Sequence, residues 1–65
     1  MDKYEAIKQL KEYMVVNRIT QTKMANIISA KTGVSLATSQ LNRWIKTGKI
    51  ADTWIALLTI NGFLK

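Results

Sequence analysis

Three glycines and no proline punctuate the 65 residues of this chain, and each glycine closes a segment in which apolar side chains recur at helical spacing. That punctuation predicts four helices. Asp2 stands ahead of Ile7, Leu10 and Met14, with Tyr4 one turn before them, which predicts a capped helix over about 3–16. Asn17 and Arg18 form a polar break. Thr20 can then cap a second helix, about 21–32, with Met24, Ile27 and Ile28 on its inner face and Gly33 at its end. Beyond Gly33, Val34 can pack back on the helix just ended, and Ser35 offers a hydroxyl to cap a third helix over about 36–47. At 100° per residue Val34, Ala37, Leu41, Trp44 and Ile45 fall on one side, and Ser35, Ser39, Asn42, Arg43 and Lys46 on the other. Gly48 ends it. Asp52 caps a fourth helix, about 53–61, carrying Trp54, Ile55, Leu57 and Leu58, and Gly62-Phe63 reads as a C-terminal glycine with its hydrophobic contact.

The expected fold is therefore an all-α, compact four-helix single domain, 1–65, in which two short helices are joined through a glycine turn. Strands are the weaker reading, because no segment alternates apolar and polar residues for long. The one hairpin dipeptide, Asn61-Gly62, leaves only three residues to pair. A chain this short buries only about 60% of its unfolded surface, so the core has to be shared among few elements. The longest apolar run, Trp54 to Leu58, is far below the roughly 20 residues of a membrane span, and no apolar signal segment opens the sequence. A soluble, cytoplasmic protein is the expectation.

Charge narrows the function. The net charge is +6, and between Arg18 and Lys49 stand six basic residues and no acidic one. Outside that stretch Lys3, Lys8, Lys11 and Lys65 are matched by Asp2, Glu5, Glu12 and Asp52. An excess confined to the middle of the chain is the footprint of a face that meets a polyanion. Catalysis is not expected: the sequence has no His, no Cys, no glycine-rich phosphate loop and no carboxylate pair placed for acid–base work. For the same reason no metal site and no cofactor are expected.

The run from Gln21 through Gly33-Val34-Ser35 to Asn42-Arg43-Trp44-Ile45 resembles the helix-turn-helix of the Cro and repressor family of temperate-phage regulators. Gln21-Thr22-Lys23 is similar to the opening of that unit, and Lys49-Ile50 to the residues just past its recognition helix. The likeness covers about Thr20 to Ala51, half the chain. Two departures stand out. Ser29 occupies the slot four before the glycine, where the family usually has Ala, and Leu41 and Trp44 come about two residues late. A longer turn, with the third helix starting nearer Thr38, is the alternative register.

The resemblance implies sequence-specific binding of double-stranded DNA, repression or activation of transcription, and a homodimer on a two-fold operator, in a bacterial or phage-infected cell. Side-chain chemistry then distributes the roles. Asn42 and Gln40 suit adenine, Arg43 suits guanine, and Ser35, Thr38 and Ser39 suit base edges or phosphates. Leu36, read on the outer face, suits a thymine methyl, or else packs near the turn. Lys23, Lys31, Lys46 and Lys49 suit phosphates, and so do Gln21 and Thr22 in the first turn of their helix, where the family touches the backbone. Trp44 and Trp54 share faces with Leu and Ile and read as core rather than as stacking platforms for single strands. Trp54, Phe63 and Leu64 are the candidate dimer surface. The rival reading is a small phage-type regulator that docks the same basic surface on a host protein, since fold alone does not fix function. A basic helix lying on a membrane is disfavoured, because the apolar faces are needed for a core.

Overall fold

The computed structural model describes all 65 residues. Four helices succeed one another, α1 (Lys3–Asn17), α2 (Gln21–Thr32), α3 (Thr38–Thr47) and α4 (Asp52–Ile60), with no strand between them. The first two begin as the sequence predicts. The Asp2 carboxylate accepts from the Glu5 amide at 2.7 Å, and the Thr20 hydroxyl accepts from the Lys23 amide at 3.2 Å. The first helix ends at Arg18, which takes a left-handed conformation (φ 53°) usually left to glycine and donates its amide to the carbonyls of Met14 and Val15. Gly33 closes α2 at φ 72°, a value that costs a side-chain-bearing residue strain.

The later boundaries correct the expectation. The third helix starts at Thr38, not Leu36, so the longer-turn register is the one adopted. Ser35 does not cap it: Ala37 holds that position without a side-chain bond. Likewise Asp52 is not the cap of α4 but its first residue, behind Ala51, where a carboxylate still favours the positive end of the helix dipole.

Fifteen apolar residues are buried, and no polar or charged residue is. Leu10, Met24, Ile28, Leu41 and Leu58 bring one fully buried side chain or more from every helix, and Ile50, in the link before α4, completes that centre. Phe63 and Leu64 fold back as well, their amides donating to the Leu58 carbonyl at 3.0 and 3.4 Å. Tyr4, expected on the inner face of α1, is 79% exposed. Val34 is also largely exposed, and Leu36 takes the place beneath the turn expected for it.

Ser29 explains how the longer turn is held. Its hydroxyl accepts from the Leu36 amide at 2.9 Å and donates to the Ala25 carbonyl at 2.8 Å, tying the fourth residue from the end of α2 to the segment before α3. An alanine could not do this. Replacing Ser29 with Ala is expected to cost about 1–2 kcal/mol in urea unfolding, because an orphaned amide costs about 1–3 kcal/mol and the better helix propensity of Ala offsets only about 0.5. No loss would mean the turn holds without the staple.

Candidate nucleic-acid interface

The α3 helix is the most strongly two-sided of the four. Leu41 and Trp44 fix one side in the core, and the ring of Trp44 meets that of Trp54 edge-on, with centroids 5.2 Å apart. At 100° per residue the opposite side is centred on Ser39 and Lys46, about 20° apart, with Arg43 about 40° from Ser39. All three are exposed. Thr38, Gln40 and Asn42 lie on the flanks and are half-buried.

One flank is joined to α2. The Asn42 amide nitrogen donates to the Gln21 side-chain oxygen at 2.9 Å, across 21 residues of sequence. That bond ties the first residue of α2 to the flank of α3, and Thr22 and Lys23, which follow it in the same turn, are exposed. Asn42 therefore has part of its hydrogen-bonding capacity committed within the protein. The other flank opens into a notch lined by Ser39, Gln40, Arg43 and Lys49, with Trp44 and Trp54 behind them. Exposed Lys49 thus stands beside Arg43 although it lies beyond the helix.

Three residues assigned to this interface from sequence lie elsewhere or differently. Leu36 is only 4% exposed, so it is a core side chain of the turn and not an outer-face contact. Lys31 is eight residues from Lys23, about 12 Å further along α2, and its ammonium sits 5.7 Å from the centroid of the Phe63 ring. Ser35 is exposed in the turn, ahead of α3 rather than on it. What sequence reasoning missed is the tie between Gln21 and Asn42, for which two amide side chains 21 residues apart give no local signal.

The candidate interface offers hydrogen-bond donors, acceptors and cationic groups on an exposed face. No three metal-ligating side chains cluster anywhere in the chain. No helix is long and apolar enough to cross a membrane. Phe63 and Leu64 are buried, at 6% and 3% exposure, which removes them from the candidate dimer surface, and Trp54 is half-buried against Trp44. The fold and this face together define a small all-α domain of four helices. No family model, curated protein or solved structure matches the chain.

Proposed function

We propose that this chain is a sequence-specific double-stranded DNA-binding regulator of transcription, with α3 lying in the major groove as a Cro-like or repressor-like recognition helix. A groove about 12 Å wide admits one helix. The observation that carries the reading is the outer face of α3: Ser39, Arg43 and Lys46 stand exposed together, with exposed Lys49 on one flank and Gln21, at the start of α2, tied to the other. Arg43 reads guanine, Ser39 and the flanking Thr38 and Gln40 reach base edges, and Lys46, Lys23 and Lys49 hold phosphates. Asn42 acts chiefly by locking α2 against α3, and Gln21 presents its remaining polar capacity to the backbone. The role is binding, not catalysis. One helix makes a small contact, so two copies are expected on a two-fold site, meeting through residues other than Phe63 and Leu64.

The test is titration of a labelled random-sequence duplex at several salt concentrations, and then selection of bound duplexes from a random pool. Affinity is expected to fall steeply with salt, and the pool to converge on one sequence. Absence of binding even at low salt would contradict the reading and favour a protein partner for the same face.

A further inference from the structure

Counted along the sequence, α1 contributes almost no net charge, but in space its charges are divided. At 100° per residue Lys11, Tyr4 and Lys8 fall within an arc of about 60°, while Glu5 and Glu12 lie about 20° apart on the adjoining arc. The two arcs border different grooves, with Glu12 common to both. Lys8 and Lys11 line a groove of about 410 Å³ together with Lys46 and Thr47 of α3, and Tyr4 stands exposed at its edge. Glu5 lines the groove on the far side, between α1 and the segment around Phe63. Glu12 sits on the ridge and borders both, so the groove shared with α3 carries three lysines against one acid. Lys46 belongs at once to this groove and to the centre of the outer face of α3.

We infer that the α1 flank bearing Lys8 and Lys11 continues the nucleic-acid interface past the C-terminal end of α3, as a second surface for the phosphate backbone of the duplex. The inference rests on the duplex-binding reading and extends it to a helix outside the two that form the turn. Three flexible cationic side chains around an open groove suit a phosphodiester strand, since lysine meets phosphate as a point charge without demanding a fixed geometry. The exposed Tyr4 adds a hydroxyl donor at the edge. Lys8 and Lys11 are both exposed, so neutralising them leaves the core intact.

The test compares Lys8→Gln/Lys11→Gln with Lys3→Gln/Lys65→Gln, which removes the same net charge elsewhere. Each is titrated with random duplex across a salt series, with circular dichroism confirming the fold. Loss of two phosphate contacts is expected to make the salt slope less negative by about 1.8, roughly a twelvefold smaller drop in affinity between about 50 and 200 mM salt. The Lys3/Lys65 pair is expected to leave the slope unchanged. Salt-dependent binding by the unaltered chain with an unchanged slope for Lys8→Gln/Lys11→Gln would overturn the inference and leave the duplex reading standing. Equal slopes for both variants, each less negative than that of the unaltered chain, would also overturn it, because total charge would then be responsible. If the unaltered chain bound no duplex, both would fall together.

Discussion

Replacing Trp44 with alanine is expected to lower stability by about 3–5 kcal/mol, the cost of emptying a buried aromatic site. At 65 residues the whole domain is worth roughly 3–10 kcal/mol, so this one change brings it close to unfolding. Trp44 is 3% exposed and its ring packs edge-on against Trp54, so together with Leu41 it seats α3 in the core and links that helix to α4. Helical circular dichroism and the fluorescence of the remaining Trp54 during urea unfolding report the loss together. Trp44→Phe keeps most of the volume and should retain most of the stability. A loss below about 1 kcal/mol for Trp44→Ala would mean that the cavity collapses at little cost and that α3 is held by other contacts.

Arg43→Ala should weaken binding to the preferred duplex by about 1–3 kcal/mol and leave binding to random duplex almost unchanged, as expected for a side chain that reads a base. Lys46→Ala, one helical turn further on, should weaken both and make the salt slope less negative by about one, as expected for a phosphate contact. Both side chains are exposed, so neither change should disturb folding. The contrast between them separates specificity from attraction. Equal loss on every sequence for Arg43→Ala would demote it to a phosphate contact and leave base reading to Ser39 and the flanks.

The helices were legible because their signals are local. Asp2 and Thr20 cap where a hydroxyl or carboxylate is expected, and Gly33 and Gly48 take the positive φ that ends α2 and α3. The start of α3 was ambiguous for a physical reason. Ser35 is a better intrinsic cap than Ala37, yet burying Leu36 and bonding its amide to Ser29 outweighs that preference, so the turn lengthens and α3 starts uncapped. The same tertiary demand put Leu36 in the core instead of on the face a straight helical wheel assigned to it. Phe63 and Leu64 read as surplus apolar surface because nothing local shows that the chain turns back at Gly62 to lay them against α1. The ring centroids of Phe63 and Tyr13 are 5.6 Å apart, and the Lys65 amide donates to the Gln9 side-chain oxygen at 2.9 Å. Of the candidate interface, the polar face of α3 came from periodicity alone. The Gln21–Asn42 tie and the placement of Lys8 and Lys11 beside Lys46 depend on how helices cross, which one chain's pattern does not encode.

The most direct measurement is a backbone amide NMR titration of the intact chain with duplex at low salt. The largest shifts are expected at Ser39, Arg43, Lys46 and Lys49 and in the first turn of α2 at Thr22 and Lys23, with the amides of Ala56 and Thr59 on α4 unmoved. Shifts concentrated on α4 and the segment around Gly62, with the amides of Ser39 and Arg43 unchanged, would contradict a duplex seated on the outer face of α3.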